Sequence, residues 1–178
     1  LGEIAIITGS NMAGKSTFLR TVAVNYILAM TGAPVCAREM HFLPTKIFTS
    51  MRTTDSLKSG ESYFYAELSR LKELEKEVSN NNKIFFILDE ILKGTNSEDK
   101  SAGSKLFVSK LIEMNANGII ATHDTALGLM EKEHPAIIFN KCIEIDIEGE
   151  KIFFNYLLRD GITSSRNAVL LMKQMGII

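Results

Sequence analysis

Cysteine, proline and any surplus of one charge are scarce in this chain, and each scarcity removes a class of protein. Only two cysteines, Cys36 and Cys142, occur in 178 residues, far apart and with no Cys or His at ligand spacing. That excludes a disulfide framework and a zinc site, and both residues are expected to be buried thiols in a reducing cytoplasm. The 20 basic residues against 21 acidic ones lack the excess of a domain that grips nucleic acid by neutralising phosphates. Any DNA binding is expected to lie outside this segment. No apolar run approaches the roughly 18 residues of a membrane span, so no membrane passage is expected. Only Pro34, Pro44 and Pro135 interrupt the chain, and neither repeats nor low-complexity linkers divide it. One domain over residues 1–178 is expected, large enough to bury about 70% of its unfolded surface. The chain opens Leu-Gly-Glu rather than with Met and carries no secretory signal, so a fragment of a longer cytoplasmic protein is expected.

What is present is an alternation of short apolar runs and helical stripes. EIAIIT at 3–8 suits a buried strand, and KSTFLRTVAVNYILAM at 15–30 a buried helix. HFLPTKIFTSM reads as irregular extended structure, and TTDSLKSGES as a loop. A helix is predicted over 63–78, with Phe64, Leu68, Leu71, Leu74 and Val78 toward the core and Lys and Glu on the other side; NNN at 80–82 ends it. KIFFILDE carries an uninterrupted run suited to a parallel strand covered on both faces. A helix over 98–115, with Phe107, Leu111 and Met114 on one face, precedes a strand GIIAT at 118–122, and a helix over 125–133 follows. CIEIDIEGEKIFFNYLL reads as two strands joined at Glu148-Gly149, and a helix over 164–175 closes the chain. The order implies an α/β fold, a mainly parallel sheet with helices on both faces and an antiparallel hairpin near one edge.

The chemistry concentrates at strand ends. Gly9, Ser10, Asn11, Met12, Ala13, Gly14, Lys15, Ser16 and Thr17 have the spacing of a phosphate-binding loop, and they stand between a predicted strand and a predicted helix. Glycines let the backbone wrap a triphosphate closely, and the helix start adds its positive end. Lys15 is expected to reach the β- and γ-phosphates of ATP and Ser16 to ligate Mg²⁺. Asp89 and Glu90 close another strand, where ligands gather in open α/β sheets. Asp89 suits Mg²⁺, through water, and Glu90 the activation of an attacking water, which favours hydrolysis over transfer; a solvated turn is the bland alternative. His123, past a third strand, is either an ordinary loop histidine or a hydrogen-bonding partner for nucleotide or water. DSLKSGES is either a connector capped by Ser62 or a phosphate-facing loop.

Four segments together resemble the ATPase domain of the DNA mismatch-repair MutS family, related to the ABC-type ATPases. TGSNMAGKST resembles that family's TGPNMGGKST, SGESYFYAE its SGRSTFMVE, DEILKGTNSEDK its DEIGRGTSTYDG, and ATHD its ATHY, in the family's order and over nearly the whole chain. The resemblance implies a P-loop NTPase fold in the C-terminal part of a longer, nucleoid-associated protein. It implies a homodimer with MgATP at its interface, in which Gly60 and Ser62 of one subunit reach the γ-phosphate held by the other. It further implies that Asn11 and His123 lie near the γ-phosphate, that Asp99 lies near the dimer seam, and that DNA is bound by upstream domains. Ser10, Ala13 and Leu92-Lys93 depart from the pattern. Ala13 would be restricted if its position needs positive φ, and Leu92 stiffens the segment after Glu90. A recombination or branched-DNA member of the family is the nearest alternative; an ABC transporter subunit is disfavoured because an LSGGQ-like signature is missing. The third alternative, a switch that binds nucleotide without hydrolysis, is disfavoured by the intact Asp89-Glu90 pair.

Overall fold

The computed structural model describes residues 2–10, 12–51, 63–80, 83–148, 151–164, 172, 176 and 177. Asn11, Gly60 and Ser62, the hairpin residue Gly149 and most of the predicted 164–175 helix lie outside the described residues.

Six strands form the main sheet in the order β2-β3-β4-β1-β5-β8. They are β1 (Ile4–Thr8), β2 (Lys46–Ser50), β3 (Ile84–Asp89), β4 (Asn117–Thr122), β5 (Ile138–Ile143) and β8 (Leu158–Asp160). The first five are parallel, and β8 pairs antiparallel with β5. β6 (Asp146–Glu148) and β7 (Lys151–Phe153) make a separate antiparallel pair. Among the described residues four helices accompany the sheet: α1 (Lys15–Met30), α2 (Tyr63–Ser79), α3 (Ser97–Glu113) and the short α4 (Thr125–Gly128), which runs on into a 3-10 turn.

Side chains alternate across a strand, and here both faces find apolar cover. Ile84, Phe86 and Leu88 of β3 join Ile4 and Ile6 of β1 in one core with Leu71 and Leu74 of α2 and Val108 and Leu111 of α3. Ile87 and Ile7 point the other way and pack with Leu19 and Ala23 of α1. The uninterrupted apolar runs thus mark two-faced burial, as their sequence implies.

Several expectations are corrected. The segment 41–51 contains a true strand, β2, because its Phe48 packs into the core beside β3. β5 is a full parallel strand beside β1, whereas the sequence reading began only at Cys142. α1 is covered on one side only: Leu19, Ala23 and Tyr26 are buried while Val24, Ile27 and Met30 are exposed. Leu68 is exposed, since at about 100° per residue it falls on the flank of the stripe centred between Leu71 and Val78. Glu67 lies nearer that centre, so the division of apolar and charged faces along α2 is not clean. Cys142 is buried, but Cys36 is exposed in the segment between α1 and β2, where its N–H bonds Asn25 Oδ1 at 2.6 Å.

Candidate functional site

The spatial order β3-β4-β1 brings three strand ends into one line. Thr8 aligns with Thr122 across β1 and β4, and Asp89 with Ala121 across β3 and β4. Residues separated by 80 and more positions therefore meet beyond the carboxyl edge of the sheet.

After β1 the chain turns through Gly9 (φ 153°) and enters α1 through Gly14 (φ 96°). A side chain is unfavourable at both positions. A Cβ on Gly9 would fall 2.4 Å from the Ile143 carbonyl oxygen, and one on Gly14 2.6 Å from the Tyr156 ring. Ala13 lies outside the positive-φ region and is buried in the α1-side core, so its lost glycine costs the loop nothing. Gly14 is the N-cap residue of α1 and supplies no side-chain hydrogen bond. The start of α1 thus turns its positive end toward the loop with no capping side chain in the way, a setting that favours an anion. Ser10 Oγ is buried without a hydrogen-bond partner among the described residues. Met12 is exposed at its tip.

Lys15 is buried, and its Nζ donates to the carbonyl oxygens of Gly9 and Ser10 at 2.6 and 2.9 Å. The ammonium is thus already held inside the loop that it would share with phosphate. Ser16 Oγ donates to Asp89 Oδ2 at 2.6 Å, joining the start of α1 to the end of β3. Among the described residues no cluster of three or more His, Cys, Asp or Glu could hold a metal by itself. A hydroxyl and one carboxylate side by side still fit Mg²⁺, which keeps several waters and takes its remaining oxygens from phosphate.

Glu90 stands one residue beyond Asp89 in the left-handed region, φ 59°, while its N–H bonds Ala121 O at 2.9 Å and carries the ladder past the strand end. Its carboxylate accepts a hydrogen bond from His123 Nδ1. Lys100 Nζ lies 3.5 Å from the other ring nitrogen, Nε2. Burial pushes the Glu90 carboxyl up, but the His123 hydrogen bond and the positive charges of His123, Lys100 and Lys93 outweigh it and hold the group below its ordinary range. An ionised carboxylate beside an oriented imidazole can accept a proton from water.

Thr17 follows Ser16 in the first turn of α1, where its carbonyl accepts from Thr21 Oγ1. Asp99, predicted near a dimer seam, is exposed in the first turn of α3. Its N–H bonds the Asn96 side chain at 2.9 Å and its Oδ2 accepts from Asn96 Nδ2 at 2.7 Å, a reciprocal cap. Sequence reasoning missed Lys100, whose proximity to His123 only the fold reveals, and Tyr156, whose ring overhangs Gly14 from 142 residues away. Tyr156 is exposed, adopts φ 55° and stacks on Phe154 at 6.2 Å.

The sequence matches MutS domain V over residues 5–177. This chain belongs to the MutS family. It is similar to the DNA mismatch repair protein MutS of Thermotoga maritima, 33% identical over 177 residues that make up 98% of this chain and 22% of that protein. Similarity extends to the MutS of Thermus aquaticus, 40% identical over 71% of this chain and 16% of that protein. The DNA mismatch repair protein MSH3 of Vanderwaltozyma polyspora is 35% identical over 92% of this chain and 16% of its own length. The chain thus spans about a fifth of the length of the relatives it matches. Among the described residues no helix is long and apolar enough to cross a membrane.

Proposed function

We propose that this MutS-family domain is a P-loop ATPase module of the ABC type, which binds MgATP and hydrolyses it to switch the DNA-binding state of a longer cytoplasmic protein. The observation that carries the reading is the Ser16–Asp89 hydrogen bond at the uncapped start of α1, with the Glu90–His123 pair on the neighbouring strand ends. In this reading Gly9, Ser10, Asn11, Met12, Ala13 and Gly14 wrap the triphosphate with Thr17 behind them, and Lys15 exchanges a loop carbonyl for a phosphate oxygen. Ser16 and Asp89 hold Mg²⁺, which supplies charge neutralisation for the phosphates. Glu90 takes the proton of the attacking water, and His123 keeps that carboxylate ionised and aimed.

A homodimer closed around two nucleotides fits the same residues, with Gly60 and Ser62 of one subunit completing the site of the other. Repair of mismatched DNA is the favoured transaction because the relatives above carry that function in their names. Steady-state ATPase assays and sedimentation of the full-length protein test the proposal. Glu90→Gln is expected to lower turnover by about 100-fold or more, in keeping with a lost general base, while retaining MgATP and sedimenting as a trapped dimer. Unchanged turnover would remove Glu90 from its role, and a monomer in saturating MgATP would remove the dimer. Titration of mismatched, branched and perfect duplexes at fixed salt, with and without MgATP, separates mismatch repair from a branched-DNA transaction.

A further inference from the structure

The segment after Glu90 is gripped from the opposite side to the nucleotide loop. Lys93 N–H donates to Glu67 Oε2 at 2.9 Å, so a side chain of α2 holds the backbone of this loop. The contact leaves little slack. A Cβ on Gly94 would fall 2.8 Å from the Phe64 Cβ of α2, and a Cβ on Gly103 of α3 would fall 2.6 Å from the Leu92 side chain. Glu90 and Leu92 both hold φ near +60°, at 59° and 58°, a conformation that non-glycine residues keep only when their surroundings over-determine it. Glu90 is fixed at its own amide by Ala121 O. Between that anchor and the Lys93 amide that Glu67 holds stand two residues, the buried Ile91 and Leu92.

We propose that Glu67 is a positioning residue for Glu90: by holding the Lys93 amide against α2, it fixes the direction in which the Glu90 carboxylate leaves the end of β3. Glu67 would act through the loop backbone, by its bond to the Lys93 amide, rather than on the nucleotide. The proposal rests on the hydrolytic reading above. Burial of Glu67 on the core side of α2 pushes its carboxyl up, while the neighbouring backbone amides and the Lys93 charge draw it down by less.

The test uses the full-length protein and reads turnover, MgATP affinity and melting midpoint for Glu67→Ala and Glu67→Gln, alone and combined with Glu90→Gln. Misplacing a reacting group by about 1 Å can cost on the order of 100-fold, so Glu67→Ala is expected to lose about 10- to 100-fold in turnover with MgATP affinity within about twofold. Glu67→Gln keeps one carbonyl acceptor and is expected to recover most of that loss. In the Glu90→Gln background Glu67→Ala is expected to add nothing further, as for residues that act as one unit. Wild-type turnover in Glu67→Ala, or an equal additional loss in the Glu90→Gln background, would overturn the positioning role and leave the ATPase reading intact. Turnover and affinity falling together with the melting midpoint in both Glu67 variants would also overturn it, in favour of a role in folding alone. A wild-type protein that binds MgATP without hydrolysing it would overturn both readings at once.

Discussion

Two loops meet at the candidate site, and they reach left-handed backbone by opposite means. The loop after β1 places glycines where φ is positive, at Gly9 and Gly14, and there a side chain would strike the Ile143 carbonyl or the Tyr156 ring. The loop after β3 places Glu90 and Leu92 at φ near +60° and is held there by the Glu67 carboxylate and the packing of Leu92 against Gly103. Glycine makes the first conformation intrinsically accessible. The second is imposed from outside, so it depends on α2 and α3 staying where they are. A loop of the first kind suits a fixed cradle, and one of the second kind suits a segment that responds to its neighbours.

The largest effect expected from breaking the cradle is chemical. Lys15→Ala removes the ammonium now held by the Gly9 and Ser10 carbonyls. Hydrogen bonds to charged groups contribute up to about 3 kcal/mol, so MgATP affinity is expected to fall by about 100-fold or more, measured by titration of a fluorescent nucleotide analogue. Retained affinity would mean that the loop binds its ligand without the lysine. Gly14→Ala is the conformational counterpart. The exposed Tyr156 ring can swing aside, but φ 96° remains unfavourable for alanine, and a stability loss of about 1–3 kcal/mol is expected in urea unfolding. A neutral result would show that this turn has another accessible backbone.

The loop after β3 gives a smaller and sharper test. Leu92→Ala and Leu92→Gly both remove a buried side chain, so the difference between them isolates the backbone. Left-handed geometry costs a non-glycine residue roughly 1–2 kcal/mol, while glycine gives back about 0.5–1 kcal/mol through its freer unfolded chain. Leu92→Gly is therefore expected to be more stable than Leu92→Ala by about 0.5–1 kcal/mol, measured by urea unfolding, the reverse of their usual order. Alanine more stable than glycine would mean that the backbone at 92 carries no strain.

The same contrast explains what could be read in advance. The strand–loop–helix at the start of the chain was legible because its requirements are local: Gly9, Gly14, Lys15 and Ser16 lie within eight residues, between a strand and a helix whose patterns are strong. α1 spans the residues expected, and β3 ends on the expected Asp89. The sequence reading also placed His123 past a strand end, where the structure has it meeting Glu90. What escaped depends on tertiary approach. Glu67 and Lys100 close two of the segments that carry the resemblance and Tyr156 lies in none, but each matters only through a residue at least 23 positions away. β5 was begun too late because the buried Asn140 and the half-buried Lys141 interrupt its apolar run. Leu68 was placed in the core by its step of four from Phe64, and Cys36 was expected buried by residue type; helix phase and loop position override these. The roles of Asn11, Gly60 and Ser62 rest on the resemblance, because these residues lie outside the described ones.

The smallest expected effect concerns the charge that holds the second loop. Burial raises the Glu67 carboxyl above its ordinary value, more than the amides of Lys93, Leu92 and Gly94 lower it. The folded state therefore binds the Glu67 proton more tightly than the unfolded chain does. By linkage, this group's contribution to stability is fully present below the unfolded carboxyl value and is lost as pH rises through the folded one. The sign is opposite to that of Glu90, whose lowered carboxyl contributes stability that is present above the unfolded value and is lost as pH falls through the folded one. Urea unfolding across the mildly acidic range is therefore expected to show a shallower loss of stability with rising pH in Glu67→Gln than in wild type, and a weaker gain with rising pH in Glu90→Gln. Equal pH slopes in wild type and Glu67→Gln would mean that Glu67 is solvated in both states, and the loop after β3 would then be held by packing alone.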